Sequence, residues 1–160
     1  IVSADNHLSI ALVTKRKKAG SDQNFIKVDY NYCIDLAKNA FESGVKRISI
    51  ISSVGSNPNS NLLYPRTKGL IERDLKKIPF EHVSIMKPGL ILGNRQESRF
   101  IEKVSKYFFS LLNPFLIGSL HKYKSIHAEN ISKAMIYQVS MGDNGFVLLE
   151  YNEIMESSKK

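Results

Sequence analysis

The sequence predicts an α/β fold, a parallel sheet with helices packed on its faces. Three observations lead there. Short apolar runs of strand length alternate with longer stretches of helical periodicity. The run Lys46–Ser52 has almost no polar alternation past its start, as a strand buried on both faces requires. Strand, helix, strand, helix, strand then follow one another at the spacing of βαβ units.

Each element has its own signal. His7–Val13 is the first expected strand, followed by a basic loop through Gly20. Ser21, Asp22 and Asn24 are candidate N-caps for a helix whose apolar stripe is Phe25, Val28, Tyr32, Leu36 and Ala40, with Cys33 and Ala37 beside it. Gly44 is its expected stop. After the Lys46–Ser52 strand, a loop rich in Ser, Asn, Gly and Pro runs to about Asn61. A second helix follows, with Pro65 in its first turn, Leu70, Ile71, Leu75 and Ile78 on one face, and Pro79 ending it. His82–Met86 reads as a strand stopped by Lys87-Pro88-Gly89, and Leu90–Gly93 as extended or turning. Phe100 to Leu112 carries an amphipathic pattern ended by Pro114. A helix over 128–140 and a strand over 146–150 complete the expectation.

Composition bounds the function. The chain has 160 residues, of which 42% are hydrophobic and 24% charged, an ordinary balance for one globular domain over 1–160. The net charge of +8 raises nucleic acid or an anionic membrane as partners. The basic residues are scattered, however, apart from Lys15–Lys18 and the Lys159-Lys160 tail, and no aromatic residues interleave with them as a stacking platform. A lysine-rich solvated surface is expected, not a nucleic-acid site. The longest apolar stretch, Tyr107–Leu120, is interrupted by Asn113-Pro114 and too short to span a bilayer. Cys33 is the single cysteine, which excludes an internal disulfide and a cysteine-based metal site. Its place on an apolar stripe marks a structural thiol, and a reducing cytoplasm is the expected location.

Chemistry in such sheets gathers where strands end at their carboxyl edge. Ser52 and Ser53 end a buried strand there, and Tyr64 with Lys68 opens the next helix. Four residues apart on a helix, Tyr64 and Lys68 share a face. A phenol ordinarily titrates near pH 10, and a neighbouring cation favours its ionised form. Such a pair can pass a proton to or from a substrate oxygen, while a strand-end serine hydrogen-bonds that oxygen. By chance alone about one Tyr-x-x-x-Lys pair is expected in a chain so rich in lysine, so the spacing carries weight only through its setting. The bland alternative has Tyr64 packing beneath a loop and Lys68 solvating a helix.

These stretches also resemble a known family. Val28-Asp29-Tyr30, Leu36-Ala37, Gly44–Arg47 and Ile51-Ser52-Ser53-Val54-Gly55 are similar to extended and atypical short-chain dehydrogenases/reductases. Ser60–Gly69 and Lys87–Arg99 resemble the branch containing the HIV Tat-interacting-protein-like oxidoreductases. The resemblance implies a Rossmann-like sheet that lacks the first βαβ part of that fold. It implies a general acid/base at Tyr64, its partner at Lys68 and a substrate-orienting hydroxyl at Ser53. Cofactor contacts are implied at Thr14, Ser52, Tyr64, Lys68, Pro88, Gly89 and Leu90. The implied cofactor is NADP or NAD, NADP being preferred, and the implied substrate a small-molecule carbonyl. His127 resembles a segment on the substrate side and equally suits a structural role. Arg95 and Arg99, four apart, suit an anionic substrate group or a solvated surface alike.

The chain departs from the family in one large respect. No Gly-x-x-Gly-x-x-Gly turn for the cofactor pyrophosphate occurs in it, Val13 stands where a family glycine is usual, and Lys87 stands for the usual arginine. Because the chain begins with Ile1, the expectation is a fragment whose first strand would have paired with His7–Val13. That pairing lost, the exposed sheet edge is expected to self-associate. A non-catalytic binding or regulatory protein on the same fold is the alternative to an oxidoreductase.

Overall fold

The computed structural model describes residues 7–11, 20–92 and 118–160. Four strands form its sheet: β1 (His7–Ile10), β2 (Arg47–Ile51), β3 (His82–Met86) and, later in the chain, Gly145–Leu149. All neighbours in this sheet are parallel, in sequence order. Two short strands, β4 (Ile91–Leu92) and β5 (Ile126–His127), pair separately, so Gly145–Leu149 is β6. The α/β parallel architecture is therefore as the sequence implies. The first strand is described only to Ile10; Val13 and the expected helix over 100–112 lie outside the described residues.

Between β1 and β2 the chain forms α1 (Asp22–Ile26), a π-helical turn (Lys27–Asn31) and α2 (Tyr32–Glu42). Ser21 caps α1, its Oγ accepting from the Asn24 amide at 3.1 Å. Gly44, at φ 87°, ends α2 in the left-handed conformation that glycine adopts without strain. The sequence predicts one continuous helix here; the π turn widens it by one residue per turn at Asp29.

Helix α3 (Leu63–Leu75) connects β2 to β3. A 3-10 turn (Gly118–Tyr123) precedes β5, and α4 (Ala128–Met141) runs into β6. A final helix, α5 (Tyr151–Ser157), had no expectation attached to it. Alternation along the strands divides two cores. Leu8, Ile10, Ile48, Ile50, Val83 and Ile85 face Cys33, Ala37, Ile71 and Leu75 of α2 and α3. Met86 and Leu149 pack with Ile131, Ala134 and Met135 of α4 and with Ile154 of α5. On that second face, Ser9, Ser49 and Ser84 stand in register across three strands, and small side chains let α4 lie close over them.

Candidate functional site

The carboxyl ends of β2 and β3 open into two loops that the backbone holds together. The Ser52 amide donates to Met86 O at 2.8 Å, and the Val54 amide to Pro88 O at 3.0 Å, so the ladder continues past the strands. Helix α3 lies against the first of these loops. Its Gly69 meets Asn57 and Pro58 so closely that an added Cβ would fall 2.2 Å from Pro58 N. The Asn57 amide donates to Pro65 O at 3.0 Å.

Along α3, Tyr64, Lys68 and Glu72 recur every four residues, one stripe of the helix. Tyr64 is 40% exposed and its ring lies 6.1 Å from that of Phe25. Lys68 is only 1% exposed. Its Nζ lies 5.9 Å from the Tyr64 ring centroid and donates to Asp29 Oδ1 at 3.0 Å. Asp29 is equally buried, carried inward by the π turn. Contacts thus lead from a surface phenol to a buried ammonium to a buried carboxylate. Sequence reasoning missed Asp29, although Val28-Asp29-Tyr30 was among the segments that carry the resemblance. A charge on the apolar side of an amphipathic helix is the signal that would have found it.

The two serines part company, as consecutive residues leaving a strand do. Ser52 is buried, and its Oγ donates to Glu72 Oε1 at 2.5 Å, so its hydroxyl is engaged by the scaffold. Ser53 is half-buried, with its Oγ 3.2 Å from Val54 O. Ser56 Oγ also donates to Glu72 Oε1, and Lys87 Nζ reaches Glu72 Oε2 at 3.2 Å. Pro88 is buried; Gly89 lies against the Tyr123 backbone, where a Cβ would sit 2.8 Å from the carbonyl oxygen. Leu90 O accepts from the Ile126 amide at 2.8 Å, which ties this loop to β5. His127 is exposed at the end of β5. Thr14, Arg95 and Arg99 lie outside the described residues.

Cys33 packs behind the ion pair, and burial pushes its thiol up to about 12, against the opposing pull of the Lys68 charge. A thiol so disfavoured as thiolate is not a nucleophile. That agrees with the structural role its position suggests.

No protein-family model matches the chain. Curated relatives do. It is 47% identical over 145 residues to FMP52 of Candida albicans, covering 90% of this chain and 62% of that protein. It is 33% identical over 150 residues to HTATIP2 of Rattus norvegicus, covering 92% and 60%. The chain is a relative of FMP52 and HTATIP2, on the short-chain dehydrogenase/reductase fold. It spans about three fifths of the length of these two relatives. Solved structures agree on the fold. RMD from Pseudomonas aeruginosa, complexed with NADPH, superposes at a TM-score of 0.62 with 12% identity, covering 91% of this chain and 60% of that one. MoeE5, in complex with UDP-glucose and NAD, superposes at 0.61 with 15% identity, covering 96% and 61%.

The relatives correct one expectation. FMP52 proteins from Candida albicans, Emericella nidulans and Aspergillus niger are named mitochondrial, which overturns the cytoplasmic location inferred from cysteine usage. One buried thiol reports that no disulfide is needed; it does not distinguish one reducing compartment from another. Among the described residues, no helix is long and apolar enough to cross a membrane.

Proposed function

We propose that this chain carries the catalytic side of an NAD(P)-dependent oxidoreductase that interconverts a small carbonyl compound and its alcohol. The observation that carries this reading is Lys68, an ammonium fixed by Asp29 at 3.0 Å and held 5.9 Å from the ring of a surface tyrosine. Tyr64 exchanges the proton of the substrate oxygen, and Ser53, on the half-buried side of its loop, hydrogen-bonds that oxygen and orients it. An ammonium has three N–H donors; with one directed to Asp29, Lys68 has others for the phenol oxygen and a ribose hydroxyl. Since Lys68 is 1% exposed, contact with a ribose requires its ammonium to move out of its buried position.

The residues fit the nicotinamide end of a dinucleotide. Phenol and ammonium suit a ribose and its neighbouring carbonyl, and Gly89, bare of a side chain, lets the Pro88-Gly89-Leu90 loop pack against the Tyr123 backbone. When bound, that cofactor supplies or accepts the hydride. NADP is our preferred form. The pyrophosphate turn has no counterpart in this sequence, so the reading concerns the reacting end of the cofactor alone. We place the protein in mitochondria, as its FMP52 relatives are named.

Tyr64→Phe tests the proposal. Turnover of a carbonyl substrate with NADPH should be lost while the variant's affinity for NADPH stays within about twofold of wild type; undiminished turnover would overturn the assignment. The deep burial of Lys68 favours a second reading, in which the ion pair only clamps α3 to the π turn and the protein binds without catalysing. NADPH binding with no Tyr64-dependent turnover of any carbonyl would support it.

A further inference from the structure

Glu72 has no part in the chemistry just proposed, yet three donors from two loops converge on it. Ser52 and Ser56 give hydroxyl bonds to Oε1, and Lys87 gives its ammonium to Oε2. Ser52 and Ser56 bracket Ser53, in the loop after β2. Lys87 begins the loop after β3 that continues into Pro88-Gly89-Leu90. Glu72 itself lies two turns beyond Tyr64 on the same stripe of α3. One carboxylate therefore joins the three pieces of backbone that carry Tyr64 with Lys68, Ser53, and the Pro88–Leu90 loop.

Geometry makes that joint consequential. Glu72 and Lys87 are 13% and 12% exposed, so their ion pair is shielded from most competing water. Gly69 clasps the same loop to α3 one turn earlier, at Asn57 and Pro58. Between the two anchors, Ser53 has little freedom along the helix. Its hydroxyl donates to the neighbouring Val54 carbonyl at 3.2 Å, a weak local bond that does not set its position.

We propose that Glu72 is a positioning residue that fixes the distance between Ser53, Tyr64 and the Pro88–Leu90 loop. It touches neither substrate nor cofactor; it acts through the loops it holds. The proposal rests on the oxidoreductase reading for its effect on turnover, but not for its effect on the loops.

The test uses Glu72→Gln and Glu72→Ala in the protein, with hydrogen–deuterium exchange measured beside steady-state kinetics with NADPH. Glu72→Gln keeps the side chain's shape and one acceptor oxygen but loses the charge that holds Lys87. Faster exchange confined to residues 52–57 and 87–90 is expected, with the sheet unchanged. In the same variant kcat should fall about 10- to 100-fold, the range that sub-ångström to ångström misplacement produces. KM for NADPH should stay within about twofold. Adding Lys87→Gln restores a neutral hydrogen-bonded pair and should return most of the lost kcat. Two results overturn the proposal: exchange that rises throughout the chain, which marks a purely structural residue, or loops that stay protected in Glu72→Ala. The exchange pattern needs no turnover, so an inactive wild-type protein would defeat the oxidoreductase reading and leave this inference separately judged.

Discussion

Removing an ammonium from water costs several kcal/mol, and in Lys68 that cost is offset by the Asp29 carboxylate at 3.0 Å. The pair is asymmetric in its consequences. Asp29→Ala leaves a buried, uncompensated charge and should destabilise the protein by about 3–5 kcal/mol in urea unfolding. Replacing both partners together, Asp29→Leu with Lys68→Met, should recover most of that loss and still abolish turnover. If the single and double variants unfold at the same urea concentration, the ion pair contributes nothing specific. Residue-level chemistry was only partly legible beforehand. Tyr64 and Lys68 declare themselves because four residues on a helix share a face. Asp29 lies 39 residues from Lys68 in the chain, and only the packing of two helices reveals that they meet. Ser52 and Ser53 look alike as letters; which of them turns inward depends on the pleat of β2, whose register no single sequence displays.

Helix α3 is where elements meet function, because the loop carrying Ser53 runs across it. Gly69 permits this crossing: a methyl group there would sit 2.2 Å from Pro58 N and 2.4 Å from Asn57 C, closer than any real contact. Backbone must move to admit it. Gly69→Ala should therefore cost about 1–3 kcal/mol despite alanine's better helix propensity. Denaturant titration would read it, and a variant as stable as wild type would mean that the loop shifts freely. Element existence was readable for a plain reason: β2 and β3 are largely apolar runs of strand length, and α3 and α4 keep helical periodicity between clear stops. What escaped is what local pattern does not encode. The π turn carries Asp29, whose partner Lys68 lies 39 residues further along the chain. Strands β4 and β5 are two residues each, Ile91 pairing with Ile126 and Leu92 with His127, partners 35 residues apart in the chain. Helix α5 is short, and its opening turn is set by the Glu150 amide donating to Glu153 Oε2 at 3.1 Å.

Across the whole molecule, acid should act in two stages. His82, at the start of β3, is buried, with Nδ1 2.5 Å from Asp143 O and Arg47 close by. Burial above all, aided by the Arg47 charge and opposed by the Asp143 carbonyl, lowers its pKa below the ordinary 6.5. The unfolded chain then takes up this proton before the folded one does. The stability His82 contributes is complete above about pH 6.5 and is lost as the pH falls through the lower folded value. Asp74 follows at stronger acid. Bonds from Arg73 first, then Lys77 and Tyr30, hold its carboxyl well below 3.8, so its contribution is full above about pH 3.8 and is lost progressively as the pH falls from there through the lower folded value. Urea midpoints measured from pH 8 to pH 4 should decline first below about 6.5, and His82→Gln should flatten that first decline. An identical slope in the variant would exclude His82 as its source.

At the opposite rim from Tyr64, the Arg47 guanidinium donates to Val139 O at 2.6 Å, to Gln138 O at 3.1 Å, to Gly142 O and to Asn144 Oδ1 at 2.8 Å. One planar fork thus rivets the tail of α4 to the root of β2, sharing Gln138 O with the Gly142 amide. The keel of the molecule and its reactive crest are different places. Hardening the keel against heat, by filling or bracing around Arg47, is consequently open to an engineer with no need to disturb a single group at the crest.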